Sequence, residues 1–221
     1  MPGYSFWGYY EAAGQIGGDF YYYLRLTNGN ETVLLGDIEG KGVPAALRMA
    51  QISVLSKVAL LSHPNNLAEA MCALNREFCD AVQETRLASI VLCVINPTTH
   101  EATIADAGHM PPMIRRNDGT VDEEVGDRVA GFMLGVDREF QYEAGSTQLA
   151  PGEFMLLFSD GVSDAMNSSD ELYTTERIRK LLGGLQSKSP SEVGETLLKD
   201  VRRHVGDREQ FDDMSLVVAR C

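Results

Sequence analysis

The chain has 221 residues, 44% hydrophobic and 23% charged, a balance that can bury a proper core in one large domain or two small ones. Its net charge of −13 argues against a nucleic-acid partner, because phosphate backbones reward clustered Lys and Arg. No window approaches ~18 consecutive apolar residues, and Met1-Pro2-Gly3-Tyr4-Ser5-Phe6-Trp7 lacks the basic and apolar stretches of a signal peptide, so neither membrane insertion nor export is expected.

In chain order, residues 4–10, 20–26 and 32–37 read as strands, aromatic or β-branched with Gly-rich breaks, and Asn28-Gly29-Asn30 marks a hairpin between the last two. Pro44 sits where a first-turn proline belongs, opening a helix over 45–61. Leu67, Ala70, Met71, Leu74 and Phe78 recur at helical spacing and predict an amphipathic helix over 67–84. Strands are expected over 88–96, 103–106, 113–116, 120–125, 140–148 and 154–159, helices over 174–185 and 190–205, and a buried closing strand over 214–219. Grouped strands with short connections favour an α+β layered fold with mostly antiparallel sheets, as a single domain over 1–221. Cys72, Cys79, Cys93 and Cys221 form no CxxC pair and read as reduced, packing thiols of a cytoplasmic protein.

Four aspartates end or begin apolar strands beside glycine or another acid. They lie in Gly17-Gly18-Asp19, Gly36-Asp37-Ile38, Ser159-Asp160-Gly161 and Asp212-Asp213-Met214. Each could be a simple turn former. Gathered at one edge they would repel, and such a cluster calls for a counter-charge; oxygen-only ligands select hard cations such as Mg²⁺, Mn²⁺ or Ca²⁺. The Gly-rich run Glu39-Gly40-Lys41-Gly42-Val43-Pro44 enters a helix N-terminus and could cradle phosphate. It is neither a P-loop, since Gly42 follows Lys41, nor a dinucleotide fingerprint. Ser159 lacks the nucleophile elbow of serine hydrolases. His109, in Asp106-Ala107-Gly108-His109, could be a general acid, but a loop histidine bonded to backbone is the preferred reading.

These motifs, taken in order and with Ala107-Gly108-His109-Met110-Pro111-Pro112, resemble the protein phosphatase 2C superfamily. The branch is that of bacterial stage II sporulation protein E and RsbU. The resemblance implies a sandwich of two mostly antiparallel β-sheets flanked by helices, and two Mn²⁺ or Mg²⁺ ions at one end of it. It implies that Asp37 bridges both ions, that the Ile38 carbonyl binds one, that Asp160 and Asp212 complete the other, and that Asp19 contributes directly or through water. Asp213 is the less expected ligand of its pair. The implied activity is that of a protein serine/threonine phosphatase, in which a hydroxide shared by the ions attacks the phosphorus of a phosphoserine or phosphothreonine. The implied substrate is a phosphorylated regulatory protein, such as an anti-sigma-factor antagonist. Two departures stand out: Tyr22 occupies a position where many relatives carry a second aspartate, and Asp106 one where Asn is common. The alternatives are a degenerate domain that binds a phosphoprotein without turnover, and a hydrolase of small phosphate esters. The surplus of Leu, Ala and Met in the first two helices fits ordinary packing or, on the sharper reading, a homodimer or regulatory contact.

Overall fold

The computed structural model describes residues 4–40, 42–81, 87–185 and 188–221. In chain order they form β1 (Ser5–Glu11), β2 (Phe20–Arg25), β3 (Glu31–Ile38), α1 (Gly42–Ser62), α2 (Leu67–Ala81), β4 (Ala88–Ile95), β5 (Glu101–Ala107), β6 (Met113–Arg115) and β7 (Val121–Asp122). Then come α3 (Glu124–Arg128), β8 (Ala130–Gly131), β9 (Gly145–Gln148), β10 (Phe154–Phe158), α4 (Asp160–Ser163), α5 (Thr175–Gly184), α6 (Pro190–Val205) and β11 (Met214–Arg220).

The strands make two sheets. One runs β1-β11-β10-β6-β7; the other runs β2-β3-β4-β5-β8, with β9 also on β5. Every strand pairing is antiparallel except β5 with the two-residue β8. Strand alternation sorts side chains onto two faces. Val33, Leu35, Val91, Cys93 and Ile104 of the second sheet meet Ile114, Met155, Leu157 and Val217 of the first in a shared inner core. Leu34, Ile38, Ile90 and Leu92 turn outward, onto α1 and α2. Phe154, Leu156, Phe158, Leu216 and Val218 turn outward onto α5 and α6. The α+β sandwich flanked by helices is therefore as the sequence predicted.

The helices follow from local chemistry. In α2, Leu67, Ala70, Met71, Leu74 and Phe78 are all buried; the predicted end of this helix, over 82–84, lies outside the described residues. In α6, Ser189 and Glu192 form a reciprocal capping box ahead of Pro190. By length and composition α1 could cross a bilayer, contrary to the sequence expectation; it packs against α2 and β3, and 28% of its apolar window is buried. Its buried residues are Ala45, Ile52, Ser56, Ala59 and Leu60, while Leu47, Val54, Val58 and Leu61 face outward.

Two strand predictions need correction. The stretch 120–125 pairs only at Val121 and Asp122, because a helical turn begins at Glu124, whose N–H is taken by the Asp122 carboxylate at 2.9 Å. In 140–148 only the last four residues pair; Phe140 and Tyr142 instead pack with the core beneath α1 and α2. Aromatic residues supplied the strand signal there, and tertiary burial used them differently.

Candidate active site

The register of β2 on β3 pairs Phe20 with Gly36, so one further step sets Asp19 opposite Asp37, and Asp37 itself pairs with Ser89 on β4. The pair Gly17-Gly18 lets β2 enter so close. A Cβ on Gly18 would lie 2.6 Å from the Ile38 carbonyl oxygen and 3.3 Å from Asp37 Oδ1, and one on Gly17 would overlap the Asp213 carboxylate. Asp19, Asp37 and the Ile38 carbonyl are thereby brought together at the end of one sheet.

The second sheet supplies the other acids from β10 and β11. Ser159 N–H donates to the Ser215 carbonyl at 3.0 Å, and the Ser159 hydroxyl accepts the Ser215 N–H at 2.9 Å, closing the two strands just before Asp160. Asp160 opens α4, and Gly161 packs on the Asp213 carbonyl with no room for a Cβ. The adjacent acids divide their tasks. The buried Asp213 carboxylate accepts N–H groups from Ala13 at 2.9 Å, Gly18 at 2.7 Å and Asp19 at 3.4 Å, so it latches the Gly17-Gly18-Asp19 loop. Asp212 lines both clefts, and Asp213 lines the one beside Asp37 as well.

Electrostatics shows that the two groups meet. Burial first, then the Asp37 charge, raises the Asp19 carboxyl, with the Ser159 and Ser215 hydroxyls opposing. Burial and then Asp160 raise Asp37, offset by a hydrogen bond from Asp19; Asp212 adds to the rise. Asp160 is raised by burial, then by Asp212 and Asp164. Asp19 is 3% exposed, and among the described residues its Oδ2 has no hydrogen-bond partner. Among the described residues no three His, Cys, Asp or Glu side chains close into a ready-made cage. The cluster is an open set of oxygen donors that repel one another, with one buried oxygen unsatisfied. That donor set fits a hard divalent cation.

A cavity of about 200 Å³ opens onto Asp37 and Asp212, walled by residues 13–17, Gly40, Gly42 and Val43. Gly40 and Gly42 take positive φ, +113° and +73°, which lets the chain turn sharply into α1; Lys41 lies outside the described residues. His109 is not bonded through its ring to backbone, as the sequence reading preferred. Its Nδ1 lies 3.4 Å from the Ser89 hydroxyl, its backbone N–H is held by Asp106 at 2.7 Å, and burial pushes its pKa down to about 4. Tyr22 points into the helical layer, donating to Ser56 at 2.9 Å, on the face of β2 away from the acids. Sequence reasoning gave no role to Ser89 or Ser215, weighed Ser159 only as a nucleophile, and missed the latch made by Asp213. Serines in apolar strands carry no pattern, and only the pairing of strands reveals them.

The sequence family described as Stage II sporulation protein E matches residues 27–221. The chain belongs to that family. It is 26% identical over 213 residues to the phosphoserine phosphatase RsbU of Bacillus subtilis (strain 168), a match covering 94% of this chain and 60% of RsbU. It covers 36% and 24% of two further curated relatives. Among solved structures, the PP2C domain of SiaA from Pseudomonas aeruginosa superposes with a TM-score of 0.85 at 19% identity, covering 98% of this chain and 85% of that one. The PP2C phosphatase domain of SpoIIE from Bacillus subtilis does so with 0.83 at 22%, covering 99% and 63%. The sandwich described above is therefore the protein phosphatase 2C fold.

Proposed function

We propose that residues 1–221 form one metal-dependent protein serine/threonine phosphatase domain. It hydrolyses phosphoserine or phosphothreonine on a regulatory protein, such as an anti-sigma-factor antagonist, in the cytoplasm. The observation that carries this reading is that Asp37 lies within electrostatic reach of Asp19, Asp160 and Asp212, drawn from both sheets, with an Asp19 oxygen buried and unpartnered among the described residues. The likeness to RsbU, named a phosphoserine phosphatase, supports the substrate class. Four free cysteines accord with a reducing compartment.

Asp19, Asp37, Asp160, Asp212 and the Ile38 carbonyl would hold two Mn²⁺ or Mg²⁺ ions. Such ions, when bound, supply an activated water and offset charge on the phosphoryl oxygens. Asp37, in the middle of the cluster, feels both Asp160 and Asp212 and is suited to face both ions. Asp213 keeps Asp19 in position by holding the backbone of its loop. The N-terminus of α1, entered through Gly40 and Gly42, faces the same cleft and offers backbone N–H groups to an anionic substrate. The outward stripe of α1 supports a homodimer formed with a second copy of the chain.

The deciding experiment is hydrolysis of p-nitrophenyl phosphate and a phosphoserine peptide with Mn²⁺ or with EDTA, alongside Asp37→Asn. Mn²⁺-dependent turnover lost in the variant is expected. Full activity in EDTA, or in Asp37→Asn, would sink the assignment.

A further inference from the structure

A second cavity, of about 220 Å³, shares Asp160 and Asp212 with the acidic cluster and extends away from it. One wall is the segment after α4. There Met166 and Leu172 bridge as a small antiparallel pair around a tight turn, with Asp170 at a φ of +63°. The Asn167 side chain fills that turn: its Oδ1 accepts the N–H groups of Ser169 at 2.8 Å and Glu171 at 3.0 Å. The opposite wall is the chain between α6 and β11, with Val205, Phe211 and Met214.

The hairpin is fixed to that second wall. Arg208 donates from Nη1 to the Asn167 carbonyl at 2.7 Å and to Asp170 at 2.6 Å, and His204 Nε2 lies 2.9 Å from the Glu171 carbonyl. Gln210 anchors the far wall, donating to the Glu11 and Asp212 carbonyls at 2.9 and 2.8 Å. Arg208 and Gln210 thus tie the walls while also lining the cavity, as do Asp164 and Glu209; between these polar groups Ala165, Met166, Leu172, Val205, Phe211 and Met214 present an aliphatic, thioether and aromatic surface. Leu172 and Phe211 remain 42% and 71% exposed. Apolar side chains held open to water beside an acidic cluster gain by covering, and a preformed pocket needs little reordering to be filled.

We infer that this cavity receives a large aliphatic side chain of the substrate phosphoprotein, close in sequence to its phosphorylated residue. The inference rests on the phosphoprotein phosphatase reading and deepens it. Because Asp160 and Asp212 line both places, a phosphoryl group at the acids and a side chain in the cavity belong to neighbouring residues, an extended chain advancing only ~3.3 Å per residue. The enzyme then selects by an apolar residue beside the phosphoserine, and the phosphate itself is read by the acids and their ions.

The test is a set of phosphoserine peptides in which Leu, Ala, Lys or Asp is placed in turn at each of the flanking positions, assayed with Mn²⁺. The wild type should prefer Leu at one position by about tenfold in kcat/KM over Ala, the scale expected for filling an apolar pocket. Leu172→Asp should erase that preference, mainly through KM, while kcat/KM on p-nitrophenyl phosphate, which leaves the cavity empty, falls far less. Leu172→Ala should give an intermediate preference, and because the side chain is part-exposed both variants should fold. No positional preference in the wild type, or one that survives Leu172→Asp, overturns the inference. Turnover of p-nitrophenyl phosphate with none on any peptide would instead overturn the phosphoprotein reading beneath it.

Discussion

The Asp213 carboxylate has its two oxygens spread over three backbone N–H groups, whereas among the described residues the Asp212 carboxylate accepts the single N–H of Asp213, at 3.0 Å. Replacing Asp213 with Asn sets an amide NH₂ against either the Ala13 N–H or the pair from Gly18 and Asp19, leaving buried donors unpaired. In EDTA the Asp213→Asn variant should lose about 1–3 kcal/mol in urea unfolding. Asp212→Asn should lose none, or gain slightly as repulsion within the cluster falls, yet bind Mn²⁺ more weakly by calorimetry. Equal destabilisation by the two substitutions would contradict the division of roles. From the sequence, Asp212 and Asp213 are two adjacent acids, and only the resemblance ranked them; the hydrogen bonds distinguish their surroundings.

At the scale of elements, patterning was most reliable where one face is buried and the other wet. The apolar positions of α2 follow the buried side of the helix, whereas β3 and β10 are apolar runs buried on both faces, each divided between two cores in a way no alternation in the sequence marks. Short elements escaped, because α3 and α4 hold five and four residues, too few for a period to register. Helix α1 is the exception in kind: its outward positions Leu47, Val54, Val58 and Leu61 fall on one stripe, with Leu47 68% exposed. If a second copy covers that stripe, light scattering at high concentration should give twice the chain mass. The double variant Leu47→Asp and Val54→Asp should then be monomeric yet still folded by circular dichroism. A monomeric wild type would contradict the homodimer.

At the scale of the whole molecule, two sheets must be packed before the acids meet, so the repulsion among them is a cost of folding, felt most when no cation is bound. Burial raises Asp19, Asp37 and Asp160, and raises Asp106 to about 7. A carboxyl raised on folding contributes stability that is complete below its unfolded pKa and is lost as pH rises through the folded one. His109, lowered to about 4 by burial, has the opposite dependence: its contribution is complete above its unfolded value of about 6.5 and is lost as pH falls toward 4. Above about pH 6.5 the carboxyls therefore govern. The melting temperature in EDTA should fall as pH is raised from about 6.5 to 8.5, and saturating Mn²⁺ should flatten or reverse that slope. Asp19→Asn should flatten the EDTA curve too. A wild-type curve in EDTA that rises with pH across this window would count against a buried, uncompensated acid cluster.

The sequence by itself determined the layered α+β architecture, the amphipathic helix α2, the first-turn proline of α1 and the five motifs. Those features depend on neighbours within a few residues: a period of 2 or 3.6, a cap, a glycine where the backbone must turn. It also marked Asp19, Asp37, Asp160 and Asp212 as a set, through a resemblance spanning the chain. Only the tertiary structure decided how they stand to one another. Strand register sets Asp19 beside Asp37, the β10–β11 pairing brings Asp160 up to Asp212, and the packing of the two sheets joins the pairs. The same holds for Ser89, Ser159, Ser215 and the apolar cavity beside the acids. Their partners lie tens to hundreds of residues away in the chain, and no local pattern encodes such a contact.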